Sequence, residues 1–550
     1  MISNTRYWFL VILVILVYIK GMFITLFEND SAQFAVMAMR MVQENDFLNL
    51  FKGSEEYLDK PHMHYWLAAL SFKIFGIYDW AYRIPSLLAI LLGAYSCFGL
   101  GRLLYNEVVG KYAALIFMTC QTIFLAVIDV RTDAVLTAFT IFSVWQLITY
   151  VEKRTLTSIM WGAFGAGMAF STKGQIAIVV IGLSLLCHLG YTNKWRRIWN
   201  WRCLVALLIF AITIAPMLYA YFHQFDLHPE KIIRGKDNRS GIFFIFWEQS
   251  FERLSGRGVG KNSSNYLFFF HTFLWVFIPW TVIALFAYWT RAKTFFKMRF
   301  RYHQQFEFVT LGGITLVFLL ISFAQFKLPH YMNIIMPLYA LLTASYIHDL
   351  YKSQAQKEIK LLLIFQYLIL GIVVLFSLAV CFYVFKLQSL WSMILLVASL
   401  LVFLYVCWRA VSIRLFSLTV YAALMINVVM NFHFYPSLVH YQGGSTIAQQ
   451  LKQNDVASHK IYKISNRHTW ALDFYSQHPV KFSPIAQLPT KKGIWIYAND
   501  REIERLHQAN LNWDKQLTVD QFRITRLRIG FLNPFTRSEK LSQMHLVRLN

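Results

Sequence analysis

Apolar residues recur in stretches of about 20 along most of the chain, and short polar segments separate them. A helix of that length crosses the hydrocarbon core of a bilayer, where only a structure that satisfies its own backbone hydrogen bonds is stable. The pattern therefore predicts an α-helical polytopic membrane protein with roughly thirteen transmembrane helices. The predicted spans cover residues 7–27, 82–104, 111–128, 132–150, 157–171, 174–191, 201–222, 265–289, 308–324, 330–348, 360–384, 389–407 and 412–433.

The positive charges between these spans predict which side of the membrane each loop faces. Lys and Arg in short loops mark the cytoplasmic side because they resist translocation. They fall in alternate connections, at Lys153, Arg154, Lys194, Arg196, Arg197, Arg202, Arg291, Lys293, Lys297, Arg299, Arg301, Lys352 and Lys357. The N-terminus is therefore predicted to lie in the cytoplasm, with the protein in the cell inner membrane. The periplasmic side is predicted to hold residues 28–81, 128–132, 222–264, 325–329 and everything after about 433.

The chain divides at about residue 433 into two predicted domains. Residues 1–433 form a transmembrane domain with two large outer loops, at 28–81 and 222–264. Residues 434–550 alternate helix-like stretches with short strand-like runs such as KIYKI, GIWIYA and HLVRL. This alternation predicts a small periplasmic α/β domain.

Three segments of the outer loops have residue patterns that predict local structure. Residues 31–44 have apolar side chains at helical spacing, and residues 63–77 are apolar but too short for a span. Both are predicted to be helices that lie along the membrane surface. The second outer loop, 223–264, is polar and contains a run rich in Gly, Ser and Arg at residues 255–265, which predicts a mobile loop that could act as a lid.

Composition supports the membrane assignment and excludes several classes of protein. The chain is 57% hydrophobic and only 15% charged, which is too apolar for a soluble protein. Its six cysteines lie in or beside predicted spans without a CxxC pair, so neither a disulfide framework nor a zinc knuckle is predicted. No Gly-rich phosphate loop is found, so no nucleotide cofactor is expected. The basic outer domain suits anionic membrane lipids, and nucleic acid is not an expected partner.

Charged residues cluster where predicted helices reach the outer face. Glu28 and Asp30 follow the first span, and Asp59, Lys60 and His62 lie in the run YLDKPHMHYW. A carboxylate at that depth is costly without a role or a partner, although a solvated carboxylate at the membrane boundary is the ordinary alternative. Lys60 is suited to binding a phosphate, and Asp59 or His62 to binding a metal.

Other outer connections supply polar groups at a similar depth. They are Asp129, Arg131, Asp133, Lys173, Lys327, His330 and Tyr331. Charges at the interface favour an enzyme that acts on a lipid-linked substrate, whereas a proton-coupled transporter would place them near the midplane. A lipid or sugar transporter and a non-catalytic scaffold remain the alternatives from other classes.

Five motifs in order carry a family resemblance. They read DSAQFA-x4-RM from Asp30, YLDKP-x3-YW from Tyr57, a single aspartate at Asp133, STKG ending at Gly174, and KLPHY from Lys327. Over about residues 1–350 the chain resembles the aminoarabinose transferase (ArnT-like) and protein O-mannosyltransferase families of GT-C glycosyltransferases. The resemblance implies a GT-C fold and a single inverting displacement that moves a sugar from a polyprenyl phosphate, such as undecaprenyl phosphate, to a periplasmic acceptor.

The resemblance also implies roles for individual residues. Asp30 corresponds to the catalytic carboxylate, Asp59 to a second catalytic acid that organises the site or holds a divalent metal ion, and Lys60 to a ligand of the donor phosphate. Further implied ligands of that phosphate are Lys173, Lys327 and Tyr331, and more loosely Arg253 and Arg257. Glu28, Asp133, His62 and His330 complete the candidate site residues.

Two departures from the family motifs leave the substrate open. The family has an arginine where this chain has Gln33, and a glutamate where this chain has the shorter Asp59. The favoured acceptor is lipid A, which would receive 4-amino-4-deoxy-L-arabinose or a similar sugar. The alternative is a protein acceptor that receives a mannosyl or other hexosyl group from the same class of donor.

Overall fold

The computed structural model describes residues 3–255, 265–387, 390–408, 413–453, 458–488 and 493–549. The helices that precede the C-terminal domain are α1 Asn4–Met22, α2 Asp30–Gln43, α3 Met63–Phe75, α4 Asp79–Leu104, α5 Glu107–Thr119, α6 Gln121–Ile128, α7 Asp133–Lys153, α8 Leu156–Lys173, α9 Gln175–Thr192, α10 Arg202–Tyr221, α11 Gly241–Phe243, α12 Gln249–Ser255, α13 Phe268–Val276, α14 Thr281–Lys297, α15 Val309–Phe323, α16 Met336–Lys352, α17 Gln356–Leu378, α18 Leu390–Trp408, α19 Arg414–Val429 and α20 Tyr435–Val439. A short hairpin of β1 Phe51–Lys52 and β2 Glu55–Glu56 lies between α2 and α3.

Each predicted span coincides with a helix or with a broken helix. Within the described ranges, seven helices are each long and apolar enough to cross a membrane, and the pair α5 and α6, bent by 55°, can form an eighth span. The predicted span 265–289 is divided into α13 and α14 near Pro279, where the missing amide N–H interrupts the helical ladder. The multi-pass membrane architecture is therefore confirmed, and it combines full-length spans with shorter and broken helices.

The helices pack closely where small residues meet. Gly101 of α4 lies against Gly110 of α5, so that a Cβ added to Gly101 would stand 2.7 Å from the Gly110 Cα atom. A Cβ added to Gly110 would stand 2.5 Å from the carbonyl oxygen of Phe98. Such contacts drive helix association in lipid, where the hydrophobic effect between helices is weak.

Two of the predicted cytoplasmic loops meet on one face of the helical region. The Arg154 guanidinium donates to the carbonyl of Arg197 at 2.7 Å, and the Arg202 guanidinium donates to the carbonyl of Arg154 at 2.5 Å. The basic residues here therefore bind the ends of helices α7 and α10 to the loop between α9 and α10, in addition to marking a side of the membrane.

The first outer loop folds into α2 and α3, as the apolar spacing predicts. Phe34 of α2 and Tyr65 and Phe72 of α3 are buried in one cluster with Tyr82 of α4. At 13 residues α3 is shorter than the roughly 20 needed for a span. Its position along the membrane surface stays a prediction.

The second outer loop contains regular structure in its described part, and its role as a mobile lid stays a prediction. Its described part, 223–255, contains α11, α12 and two π-helical turns, and its Phe244 and Ile245 pack with Leu58 and Phe170 in a buried cluster. Burial of these apolar side chains stabilises the segment against the helices beneath it. Most of the Gly/Ser-rich run 255–265 lies outside the described residues.

The C-terminal domain is an α/β structure, as predicted, although the boundary at 433/434 stays a prediction. Its elements are α21 Gly443–Gln453, β3 Ile461–Lys463, α22 Trp470–Ser476, β4 Lys481–Phe482, β5 Trp495–Asn499, α23 Asp500–Gln508, β6 Trp513–Gln521, α24 Ile529–Leu532 and β7 Ser542–Leu549. The strands form one sheet in the order β4-β3-β5-β7-β6. β3 pairs in parallel with β4 and β5, and the remaining pairs are antiparallel. The three strand-like runs of the sequence became β3, β5 and β7.

Candidate functional site

An ion pair joins the start of α2 to the connection between α6 and α7. The Asn29 side chain caps α2 by accepting from the Ser31 amide at 2.8 Å, which places Asp30 in the first turn. The Arg131 guanidinium lies 3.0 Å from the Asp30 carboxylate and 3.1 Å from the Asp129 carboxylate. About half of the Asp30 side chain (49%) stays exposed, so its carboxylate can reach a substrate.

A second ion pair lies deeper, between the first residue of α7 and the last residue of α8. The Lys173 ammonium is 2.6 Å from the Asp133 carboxylate, and the two side chains are only 12% and 5% exposed. The His330 ring stands 3.8 Å from the other oxygen of Asp133, and the Lys173 ammonium lies 4.7 Å from the centre of the Tyr331 ring. Lys173 is therefore held by a carboxylate of the protein itself, which lowers the positive charge that it can offer to a phosphate.

Asp59 and Lys60 come from the first outer loop and also line this region. Their charged groups are 3.8 Å apart, and the backbone carbonyl of Asp59 accepts a hydrogen bond from the Gln249 amide at 2.7 Å. That bond holds the first outer loop against α12 of the second. Lys60 lines both this charged cavity and the apolar one beside it, so its ammonium can meet an incoming anion.

These groups surround one cavity of about 390 Å³. Seven of the predicted site residues line it, namely Asp30, Asp59, Lys60, Asp133, Lys173, His330 and Tyr331. Residues from separate outer connections therefore meet around one cavity, while their roles stay predictions. Further charged residues of the lining were not predicted as site residues, namely Lys52, Glu55, Glu56, Arg131, Arg234 and Glu252. The sequence had placed Arg131 among the charged residues of the outer connections. The other five belong to no motif that would have predicted them.

An apolar cavity of about 210 Å³ adjoins the charged one. The two share Lys60, Asp133, Lys173, Phe326 and Tyr331 as lining residues. The rest of the second cavity is mainly aliphatic, with Leu136, Ile176, Val179, Leu320, Ile321 and Ile334 in its wall. A charged chamber thus opens directly into an apolar groove between helices, and this arrangement suits a molecule with an ionic head and a hydrocarbon chain.

Three predicted site residues lie away from the cavity lining. The Glu28 carboxylate contacts the C-terminal domain, where it accepts from the Ala471 amide at 2.8 Å. The buried His62 ring bonds to the carbonyl of Leu48 at 2.9 Å, and burial lowers its pKa to about 4, so that it is a neutral structural group. The Lys327 ammonium lies 5.1 Å from the centre of the Tyr266 ring.

Two further predicted ligands of the donor phosphate are not described. Arg257 lies outside the described residues, and so does the side chain of Arg253, whose backbone belongs to α12. Among the residues with described positions, no three His, Cys, Asp or Glu side chains are grouped to hold a metal ion. A metal bound at Asp59 stays a prediction.

Comparisons with known proteins agree with this geometry. The sequence model of a family described as dolichyl-phosphate-mannose-protein mannosyltransferase matches residues 59–219. An undecaprenyl phosphate-alpha-4-amino-4-deoxy-L-arabinose arabinosyl transferase of Proteus mirabilis (strain HI4320) is 25% identical over 344 residues, which are 61% of this chain and 58% of that protein. A protein of the same name from Photorhabdus laumondii is 22% identical over 61% of this chain and 58% of its own length. The matches thus span less than two thirds of these relatives.

The likeness in structure extends over the whole chain. The crystal structure of ArnT from Cupriavidus metallidurans bound to undecaprenyl phosphate has a TM-score of 0.72 and 15% sequence identity, and the superposition covers 99% of this chain and 98% of that one. The apo structure of the same protein matches equally well. The class that the fold defines is the integral-membrane GT-C fold. The sequence comparisons and the structural comparison both find proteins of the ArnT type, in agreement with the resemblance drawn from the five motifs.

Proposed function

We propose that this chain is an inverting glycosyltransferase that moves a sugar from a polyprenyl phosphate to an acceptor at the membrane surface. The observation that carries the proposal is the junction of the charged cavity with the apolar groove at Lys60, Asp133, Lys173, Phe326 and Tyr331. The names of the relatives support undecaprenyl phosphate as the carrier and aminoarabinose as the sugar. The favoured acceptor is lipid A.

In the proposed complex, the donor enters through the groove. The prenyl chain occupies the aliphatic part between Leu136, Val179 and Ile321, and the phosphate lies at Lys60. The acceptor oxygen forms a bond to the anomeric carbon while the bond from that carbon to the phosphate oxygen breaks. The Lys60 ammonium stabilises the charge that develops on the leaving phosphate, and this stabilisation is large in a site with little water.

Asp30 acts on the other substrate. Arg131 holds the Asp30 carboxylate from one side and leaves about half of its side chain exposed to the cavity. For a hydroxyl acceptor, Asp30 takes the proton as the new bond forms. For an anionic phosphate acceptor no proton has to be removed, and Asp30 then binds the cationic amino sugar.

A protein acceptor is the second candidate. The specific observation in its favour is the match of residues 59–219 to the protein mannosyltransferase family model. The donor side of the reaction would be the same, and only the occupant of the acceptor side would differ. The two candidate functions therefore predict different products from the same class of donor.

The proposed topology places the reaction on the periplasmic side of the inner membrane. The positive loops support a cytoplasmic N-terminus and a periplasmic C-terminal domain. The connections that this topology assigns to the periplasm, such as 28–81 and 325–329, supply the residues around the cavity.

The test is a transfer assay with purified protein in lipid nanodiscs. Polyprenyl-phosphate aminoarabinose and lipid A are incubated with it, and the product is followed by mass spectrometry. Asp30→Asn and Lys60→Ala are run beside Asp514→Asn and Lys515→Ala, an exposed acid and base pair on β6 that lies far along the chain from the cavity lining. A gain of one pentosamine that falls to a small residual rate only in the first two variants supports the proposal.

Other outcomes revise or overturn it. If wild type is inert with lipid A but glycosylates a peptide from polyprenyl-phosphate mannose, the acceptor is a protein. If wild type consumes no lipid-linked sugar in any combination, the glycosyltransferase function is wrong.

A further inference from the structure

The linker between α1 and α2 is hydrogen-bonded to the C-terminal domain. The amide of Leu26 donates to the Tyr475 hydroxyl at 2.8 Å, and its carbonyl accepts from the Gln442 side-chain amide at 2.9 Å. The same Gln442 side chain accepts from the Glu28 amide at 2.7 Å. A segment with no regular structure of its own therefore has its backbone bonds satisfied by a domain more than 400 residues further along the chain.

The Glu28 side chain adds a fourth contact. Its carboxylate accepts from the Ala471 amide in the first turn of α22 at 2.8 Å, and its other oxygen is shielded from solvent. α22 supplies both Ala471 and Tyr475, so one short helix holds the linker at two points.

These contacts lie close in the chain to Asp30, the proposed reacting carboxylate. Asp30 follows Glu28 by two residues and begins α2, whose buried face packs with Trp470, Ala471 and Phe474 in one apolar cluster. The C-terminal domain thus contacts both the linker before Asp30 and the helix after it. No described residue beyond 331 lines the charged cavity, so this domain adds no group of its own to that chamber.

We propose that the C-terminal domain sets the position of the Asp30 carboxylate through residues 26–28, with Glu28 as the positioning residue. The inference rests on the proposed glycosyl transfer for its kinetic readout, but not for its structural one. A displacement of about 1 Å at a reacting group can slow a reaction by about 100-fold, so a firm hold on this linker matters to the rate.

The kinetic test compares two buried carboxylates of matched type. Glu28→Ala removes the contact to Ala471, whereas Glu502→Ala removes a carboxylate that bonds only within the C-terminal domain, to Arg467 and to the Asn499 amide. We expect Glu28→Ala to lower kcat by about 10- to 100-fold at little change in the KM for donor, and Glu502→Ala to leave kcat unchanged. Glu28→Gln keeps an acceptor oxygen and should restore most of the rate.

A double variant shows whether Glu28 acts through Asp30. In the Asp30→Asn background, Glu28→Ala should cause no further loss, because the group that it positions is already gone. A further loss equal to that of the single variant would mean that Glu28 acts independently, and would overturn the proposal. So would equal losses of kcat in Glu28→Ala and Glu502→Ala.

Hydrogen exchange tests the same idea without turnover. The amides of Leu26 and Glu28 are protected in wild type by Tyr475 and Gln442, so Tyr475→Phe and Glu28→Ala should speed exchange in peptides covering residues 24–33, while Glu502→Ala should not. Faster exchange in a protein that transfers no sugar would keep the positioning role and reject only the glycosyltransferase function. Unchanged exchange in both variants would reject the positioning role.

Discussion

The Arg131 guanidinium lies 3.0 Å from the Asp30 carboxylate and bridges it to Asp129, so that two outer connections far apart in the chain meet at one charge centre. The planar guanidinium binds both carboxylates at once, which a lysine ammonium on a flexible stem does less precisely. Asp30 is thus bound by Arg131, and it follows closely the linker residues 26–28 that the C-terminal domain contacts.

We expect Arg131→Lys to keep the fold and to lower kcat by about 100-fold, because the Asp30 carboxylate loses its fixed orientation. The measurement is the steady-state rate of sugar transfer in nanodiscs. Arg548→Lys, at an exposed pair with Asp514 on the C-terminal sheet, serves as the matched control. An unchanged kcat in Arg131→Lys would show that this bridge does not orient Asp30.

The ion pair between Asp133 and Lys173 should contribute to the stability of the folded protein as well as to sugar transfer. Asp133→Asn leaves a buried ammonium without its partner and should destabilise the protein by about 3 kcal/mol. The double variant Asp133→Asn/Lys173→Met should recover thermal stability while remaining inactive. Melting followed by size-exclusion chromatography measures the first effect, and transfer the second. A double variant as unstable as the single one would show that the pair does not account for the loss.

The apolar groove can be blocked without touching a charge. Ile176→Trp should raise the KM for a long-chain donor, because the indole fills space in the groove wall. A short-chain, more soluble donor should be affected much less, since its phosphate still reaches Lys60. Leu204→Trp, at a side chain of α10 that is 67% exposed, is the control. Equal effects on both donors would argue against the groove as the site of the prenyl chain.

The contact between Glu28 and the C-terminal domain should depend on pH. Burial, together with the nearby Asp473 carboxylate, raises the pKa of Glu28 to about 7, although the Ala471 amide and Lys463 oppose the shift. The folded protein therefore holds a proton that the unfolded chain releases near pH 4.3. Stability from this group is full below about pH 4.3 and is lost as pH rises to about 7.

Replacing Glu28 by Gln removes this loss of stability with rising pH, because the Gln side chain does not titrate. The difference in melting temperature between Glu28→Gln and wild type should widen as pH rises from about 5 to 7 and then stay constant. Asp473, whose pKa burial raises to about 6, adds a slope of the same sign to both proteins, and Lys463 and Tyr497 also face this site. A constant difference across the range would show that Glu28 does not titrate there.

Much of the fold follows from local sequence. Each apolar window became a helix or a broken helix, because lipid leaves the backbone no other way to satisfy its hydrogen bonds. Spacing of apolar residues predicted α2, and the three strand-like runs predicted β3, β5 and β7. The motifs also led to Asp30, Asp59 and Lys60 as residues of one site, because they belong to connections assigned to the same side of the membrane.

Only the tertiary structure decided what each charge does. Lys173 binds Asp133, which lies 40 residues away in the chain. The Glu28 carboxylate lies away from the cavity and accepts from the amide of Ala471, 443 residues away. Buried His62 bonds to the carbonyl of Leu48. The sequence by itself determined the helices and the face on which the charges lie, since both depend on neighbouring residues and the bilayer. It could not determine the pairs, because a pair is a contact between distant segments and leaves no local pattern in the chain.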